Sequence, residues 1–212
     1  SIVKYQFIKF LVALVAGVAV SFIRTKTIFR YSYLIYALNV IFLILVLVMG
    51  SKALGAQRWI VIGPFRLQPS EMMKISLVLA LGRWFARSSP SQELGFKRLI
   101  MPGLIAFIPA ILIIVEPDLG TGGLVLLIFA MMAFYRRLKW KTILILGVLG
   151  LFGSGVMYNY GLKSYQKKRI LTFLDPTADA QGSGYNAIQS EIAIGSGQLF
   201  GKGLKKSSQA SL

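Results

Sequence analysis

Cysteine and histidine are both absent from the 212-residue chain, and only seven residues are acidic. Without cysteine there is no disulfide, no haem-thiolate and no thiol nucleophile. Without histidine, any proton transfer depends on carboxylates, lysine or tyrosine. The carboxylates that could serve as acid or base are therefore only seven: Glu71, Glu93, Glu116, Asp118, Asp175, Asp179 and Glu191.

Charged residues are also scarce, at 15% of the chain, whereas 56% of residues are hydrophobic and the mean hydropathy is +0.69. The apolar runs have about the 20 residues that an α-helix needs to cross a hydrocarbon core of ~30 Å. Helices satisfy their own backbone in lipid, which favours a bundle. We therefore predict an all-α, polytopic transmembrane helix bundle over residues 1–160 and a partly helical outer loop that begins over 161–212. The predicted spans are 6–23, 32–49, 70–87, 99–115, 121–137 and 142–160.

Two prolines, Pro102 and Pro109, interrupt the fourth predicted span. A proline inside a helix has no N–H to donate, so a carbonyl of the preceding turn loses its partner. In membranes a neighbouring helix or polar group usually satisfies that carbonyl. We expect a bend in this span and a polar partner for it.

The formal net charge of +17 would by itself suggest nucleic acid as a partner. The basic residues, however, lie in short segments between the apolar runs, where the positive-inside rule applies. This distribution indicates that the basic residues face a membrane and not nucleic acid. The rule also predicts that residues 55–68, 117–120 and the region beyond about 160 lie on the outer side. The inner segments hold Arg24, Lys26, Arg30, Arg83, Arg87, Lys97, Arg98, Arg136, Arg137, Lys139 and Lys141, against Lys4, Lys9, Lys52, Arg58 and Arg66 on the opposite side up to the last span.

The segment GAQRWIVIGPFRLQPSEMMK, residues 55–74, places Arg58, Trp59, Arg66, Glu71 and Lys74 between two apolar runs. Such a Trp can be an interfacial anchor, and such an Arg can contact lipid headgroups. An Arg fork also matches phosphate oxygens, and an aromatic face suits a sugar ring or a prenyl chain. Glu71 and Lys74 share a helix face and can pair, either at the membrane surface or facing an internal cavity.

The sequence EPDLGTGG, residues 116–123, links the fourth and fifth spans. Its two carboxylates, Glu116 and Asp118, could bind a divalent cation or hydrogen-bond a helix N-terminus. Capping accounts for Asp118, since Leu119 opens the next helix, but it does not account for Glu116. Further along, Gln189 and Ser190 are candidates for a sugar-binding surface.

GAQRWIVIGPFRLQPSEMMK, EPDLGT and YQKKRILTFLDPTADAQGSGYNAIQSEIAIGSGQLFGKGL together resemble the SEDS family of shape, elongation, division and sporulation proteins (RodA, FtsW, SpoVE). The resemblance covers essentially the whole chain, which corresponds to the family's second to seventh spans and the start of its large extracellular loop. GAQRW and RLQPSE look more like the RodA elongation branch. The resemblance implies a peptidoglycan glycosyltransferase of the bacterial cell membrane that polymerises lipid II, an undecaprenyl-diphosphate-linked disaccharide peptide, with a class B penicillin-binding protein as partner.

The resemblance also implies roles for single residues. In the family, the residues corresponding to Trp59, Glu71 and Lys74 matter for activity or for the central cavity, and the aspartate corresponding to Asp118 is a recurrent polar position. The family's proposed catalytic aspartate lies in an HTDF motif beyond the point that matches Leu212. The catalytic base is therefore unknown within the printed chain, which we expect to be inactive by itself.

Polymerisation needs a carboxylate base and a cationic group for the departing diphosphate. We assign Arg58 and Arg66 to phosphate contacts, Trp59 to sugar or lipid packing, and the pair of Glu71 and Lys74 to the electrostatics of the cavity. A divalent cation, Mg²⁺ or Mn²⁺, is a further expectation. The same residues also suit a lipid II flippase or transporter, or a non-catalytic membrane scaffold for a penicillin-binding protein.

Overall fold

The computed structural model describes residues 2–53, 56–62, 65–87, 93–179, 182, 184–198 and 201. Two compact units are present, Ser1–Ile143 and Leu144–Leu212. The elements in chain order are α1 (Ile2–Ser21), α2 (Thr25–Met49), β1 (Ser51–Ala53), β2 (Ala56–Ile62), β3 (Phe65–Leu67), α3 (Pro69–Ala86), α4 (Phe96–Val115), α5 (Leu119–Tyr135), α6 (Trp140–Val156) with a π-helical turn (Met157–Gly161), α7 (Ser164–Leu174), a 3₁₀ turn (Pro176–Asp179) and α8 (Tyr185–Gly197). The predicted domain boundary at residue 160 stays a prediction.

Helices α1 to α6 lie where the six apolar runs predict them, and the all-α bundle class is confirmed. Within the described residues, three helical stretches are long and apolar enough to cross a membrane, Thr25–Val48, Phe96–Val115 and Trp140–Gly161. Two shorter apolar helices, Gln6–Ser21 and Leu119–Tyr135, accompany them. Helix α3 is more polar, because it includes Glu71, Lys74 and Arg83.

The core of the first unit forms where α2, α3, α4 and α5 pack together. Small and branched apolar side chains fill it, and their outward neighbours on the same helices are equally apolar but exposed, such as Ile75 at 68% and Ile111 at 57%. An apolar outer surface is what a helix bundle in lipid requires. The fully buried members include Leu43, Val46, Met73, Leu77, Leu81, Ala106, Ile113 and Val125.

Pro109 leaves the carbonyl of Ile105 without a helical donor, because the missing N–H is the one that would reach four residues back. The hydroxyl of Tyr36, on α2, donates to this carbonyl at 2.8 Å. A polar group of a neighbouring helix therefore satisfies the backbone at this proline, as expected. A second polar contact joins α2 to α3, where Asn39 Nδ2 donates to Ser76 Oγ at 3.1 Å.

A three-stranded antiparallel sheet, in the order β1–β2–β3, lies between α2 and α3 in the chain. The hydropathy pattern did not predict it. Strand β2 contains Trp59-Ile60-Val61-Ile62, residue types that favour extended backbone, and it pairs with β3 in the register Ile60↔Leu67 and Ile62↔Phe65. The sheet matters because it carries Arg58 and Trp59 on one strand.

At the other end of the bundle, the segment before α4 pairs with the segment between α5 and α6. Leu94 N donates to Arg137 O at 3.1 Å, and Lys139 N donates to Leu94 O at 3.2 Å. The Leu94 side chain is fully buried. These bonds connect the two basic segments at this end.

The second unit is largely helical and includes α7 and α8. Lys163 N donates to Gln166 Oε1 at 2.9 Å where α7 begins. After α7, Asp175 Oδ1 accepts from Thr177 N at 3.0 Å, which is an Asx turn. The predicted partly helical character of this region is confirmed.

Candidate functional site

Arg58 links the small sheet to the turn between α4 and α5. Its Nε donates to the carbonyl of Glu116 at 3.2 Å, and its Nη2 donates to the carbonyl of Pro117. Its Nη1 lies 3.7 Å from Asp118 Oδ2, in an ion pair whose side chains are 26% and 14% exposed, respectively. One guanidinium thus makes contacts from three nitrogens to three consecutive residues, which the planar fork of an arginine allows and a lysine does not. Arg58 therefore positions the α4–α5 turn, and its predicted phosphate contact stays a prediction.

Asp118 caps the N-terminus of α5. Its Oδ1 accepts from Thr121 N at 3.3 Å and its Oδ2 accepts from Thr121 Oγ1 at 3.0 Å. The capping interpretation is therefore confirmed for Asp118. Thr121 is not among the predicted site residues; it lies three positions after the cap, where the main-chain N–H donates to the cap whatever the side chain is.

Glu116 is the most unusual residue of the turn. It lies immediately after the apolar span that ends at Val115, it is only 1% exposed, and neither of its carboxylate oxygens has a hydrogen-bond partner among the described residues. The pKa of Glu116 is raised to about 7, first by burial and then by the negative charge of Asp118, while the positive charge of Arg58 partly opposes the rise. A carboxyl group with this pKa exchanges a proton near neutral pH.

The pair of Glu116 and Asp118 was predicted as a weak metal site. Mg²⁺ and Ca²⁺ prefer about six or more oxygen ligands, some of which are waters or substrate phosphates. Glu116 fits a ligand role, because its oxygens have no partner in the part of the chain that the structure describes, whereas those of Asp118 are engaged by Thr121 and face Arg58. In the part of the chain that the structure describes, no cluster of three acidic residues is present. These residues supply an incomplete ligand set, and the divalent cation stays a prediction.

Glu71 and Lys74 form the predicted pair at the start of α3. Lys74 Nζ lies 2.8 and 2.9 Å from the two oxygens of Glu71. Their side chains are 55% exposed for Glu71 and 28% for Lys74. The pairing is present, but the described residues do not bury it, and its predicted place in a cavity stays a prediction.

The remaining predicted residues lie in two places. Trp59 is half-buried on β2, and Arg66 is exposed on β3, opposite Val61. Gln189 and Ser190 lie on α8 of the second unit, where Ser190 Oγ donates to Asn186 O at 2.7 Å. The structure therefore brings Arg58 together with Glu116 and Asp118, with Trp59 next to Arg58 on the strand.

Comparison with known proteins identifies the family to which the chain is similar. The family model for FtsW, RodA and SpoVE, described as cell cycle protein, matches residues 1–212. The peptidoglycan glycosyltransferase MrdB of Escherichia coli K12 is 36% identical over 178 residues, which are 84% of this chain and 48% of that protein. The probable peptidoglycan glycosyltransferase FtsW of Moranella endobia is 35% identical over 181 residues, 85% of this chain and 47% of that protein.

A solved structure is also similar. It is described as the structural coordination of polymerization and crosslinking by a peptidoglycan synthase complex. The match has a TM-score of 0.74 and 33% identity, and it covers 89% of this chain and 55% of that chain. The chain spans about half the length of the curated relatives that it matches. With the whole chain matched by the family model, this membrane protein belongs to the FtsW/RodA/SpoVE family.

Proposed function

We propose that the whole protein is a peptidoglycan glycosyltransferase that polymerises lipid II into glycan strands. The observation that carries the proposal is the contact of Arg58 with the α4–α5 turn, because it joins GAQRW and EPDLGT, two of the sequence motifs, into one polar site beside an apolar bundle. The names of two relatives, peptidoglycan glycosyltransferase MrdB and probable peptidoglycan glycosyltransferase FtsW, support the same activity.

The reaction is attack by a sugar hydroxyl on the anomeric carbon of a prenyl-diphosphate donor. A new glycosidic bond forms, the bond to the diphosphate breaks, and the hydroxyl proton passes to a carboxylate base. Developing negative charge on the departing diphosphate requires cations in a fixed position. Arg66 is exposed and available for this role, whereas Arg58 contributes by holding the turn and by the positive charge that it places there. Trp59, beside Arg58 on β2, packs against a sugar or the prenyl chain.

The carboxylate base is expected in the HTDF motif that the family resemblance places beyond Leu212. Glu116 is a second ionisable group beside the site, and its protonation changes the charge that faces Arg58. A divalent cation, if bound, would screen the diphosphate, with Glu116 as one ligand from this chain.

We further propose a multi-pass location in the bacterial inner membrane, with the sheet, the α4–α5 turn and the region beyond about residue 160 on the extracytoplasmic side. The excess of basic residues in the alternate segments supports this orientation. A class B penicillin-binding protein is the proposed partner, because the similar solved structure is a complex that coordinates polymerization with crosslinking. The motif GAQRW favours the elongation branch and cell shape, while the identities to MrdB and FtsW, 36% and 35%, do not separate the branches.

A polymerisation assay with purified lipid II tests this proposal on the full-length protein, with and without its penicillin-binding protein. Glycan polymer should form, and it should disappear when the aspartate of the HTDF motif is changed to alanine. Transport of lipid II across vesicle membranes without polymer would instead identify a flippase. Normal cell-wall synthesis in cells that carry only the aspartate variant would identify a scaffold.

A further inference from the structure

Helices α3 and α5 leave a groove between them at the end opposite the α4–α5 turn. We name it the α3–α5 groove; Gly82, Phe85, Met131, Met132, Tyr135 and Arg136 line it. Its volume is about 410 Å³, within the range of ~300–1,000 Å³ that is typical of ligand pockets. From Leu119 to Tyr135 the rise of α5 is about 24 Å, so the groove is distant from the site at Asp118.

Gly82 keeps the groove open. A Cβ atom added at this position would lie 3.9 Å from Met132 Cε and 3.9 Å from a ring carbon of Phe29. One methyl group would therefore fit, but a larger side chain would fill the space between α3 and its neighbours. Phe85 forms a buried wall at 3% exposure, whereas Met131 at 65% and Tyr135 at 87% form an exposed rim. Flexible methionine side chains adapt to an irregular apolar ligand.

Positive charge is concentrated at this end of the first unit. Arg136 itself lines it. On α3, Arg83 lies 4.8 Å from the ring centre of Tyr33, and Arg87 lies 5.6 Å from the same ring, so both cations are held at this end of the helix. The described segments at this end, 24–30, 83–87, 93–98 and 136–141, contain eleven basic residues and a single acidic one, Glu93.

We propose that the α3–α5 groove binds an anionic phospholipid, with one acyl chain in the groove and the phosphate against Arg136. An apolar chain gains by leaving water for the methionine and phenylalanine surface, and a guanidinium matches phosphate oxygens with paired hydrogen bonds. Tyr135 has the amphipathic ring that is common at the level of lipid headgroups. The lining residues 82–86 and 131–136 cover only ~7–9 Å of helix. That length suits part of one acyl chain better than a partner helix, whose diameter is ~10–12 Å.

This lipid is distinct from the proposed substrate, because it lies at the opposite end of α5 from the polar site.

Photocrosslinking tests whether the α3–α5 groove binds this lipid, with the full-length protein in lipid nanodiscs. The probes are phosphatidylglycerol and phosphatidylcholine that carry the same diazirine-labelled acyl chain, and peptide mass spectrometry locates the adducts. Labelling of Met131 and Met132 should be about fivefold stronger with phosphatidylglycerol, which corresponds to the ~1 kcal/mol that one basic residue contributes at an anionic surface.

Two variants and one control separate the contributions. Gly82→Leu should remove the adducts from both methionines, since it fills the groove. Arg136→Gln should reduce the preference for phosphatidylglycerol, since it removes the cation that lines the groove. The control is Gly17→Leu, because no described residue lies within 4 Å of a Cβ added at Gly17 on α1, and it should label as the wild type does.

Equal labelling by both lipids in the wild type would overturn the proposal, as would labelling that survives Gly82→Leu. Absence of any adduct at Met131 and Met132 would show that protein covers the groove and would equally overturn it. If Arg136→Gln does not fold, the lipid ratio in the wild type and the Gly82→Leu result still decide. The lipid II polymerisation assay is independent, so either proposal can fail without the other.

Discussion

Replacing Glu116 by glutamine keeps the shape of the side chain and removes its ability to ionise. Burial raises the pKa of Glu116 from 4.5 to about 7. Because the folded state then holds the proton more tightly than the unfolded state, the wild-type protein loses stability as the pH rises from about 4.5 to about 7. Glutamine does not titrate, so the variant lacks this loss.

The size of the effect follows from the two pKa values. The difference between 4.5 and about 7 corresponds to ~3 kcal/mol in the free energy of unfolding. This destabilisation is absent below pH 4.5 and fully present above pH 7. The side chain is 1% exposed, so screening by solvent does not reduce it much. The advantage of Glu116→Gln over the wild type should therefore grow by ~3 kcal/mol between pH 4.5 and pH 8.

Unfolding in detergent micelles, followed by circular dichroism from pH 4.5 to pH 8, measures this difference. Any constant cost of burying the glutamine amide is the same at every pH and cancels in the comparison. The matched control is Glu93→Gln, which makes the same chemical change at an exposed carboxylate and is followed over the same pH range. A stability difference between Glu116→Gln and the wild type that is the same at pH 4.5 and pH 8 would refute the reasoning.

Three further results are expected. Tyr36→Phe should lower the free energy of unfolding in micelles by ~0.6–1.7 kcal/mol when Pro109 is present. The loss should be much smaller in a Pro109→Ala background, because the new N–H at position 109 can satisfy the carbonyl of Ile105. Equal losses in the two backgrounds would contradict this. Glu71→Ala and Lys74→Ala should each cost below ~1 kcal/mol, because the pair is exposed, and a loss of several kcal/mol would mean that another part of the protein buries it. Trp59→Ala should reduce lipid II polymerisation while the protein still inserts in the membrane, and unchanged activity would exclude Trp59 from the site.

Hydropathy predicted the helices well because a span needs about 20 apolar residues and the chain supplies them in separate runs. The largest difference is at α2, which begins at Thr25 rather than at 32. Its first turns, TKTIFR, contain two threonines and two basic residues, which continue the helix beyond the apolar run. The sheet was missed because strands of three to seven residues beside long apolar runs give no separate hydropathy signal.

The candidate site was predicted less completely. The motifs identified Arg58 and Asp118, and the cap at Asp118 follows from local spacing alone. The partners of Arg58 did not follow, because they include main-chain oxygens of Glu116 and Pro117, which leave no trace in the sequence. The lack of a hydrogen-bond partner for the Glu116 carboxylate among the described residues likewise depends on how the helices pack around it.

The contacts of Arg58 bear on how this site tolerates mutation. Two of its three interactions are with peptide carbonyls, which every amino acid at those positions provides. The side chains at 116 and 117 can therefore drift during evolution without breaking the link between strand and turn, whereas the guanidinium itself has no substitute with the same fork. The side chain at position 116, and with it the acidity of the turn, can therefore change while the contacts of Arg58 with the main chain are kept.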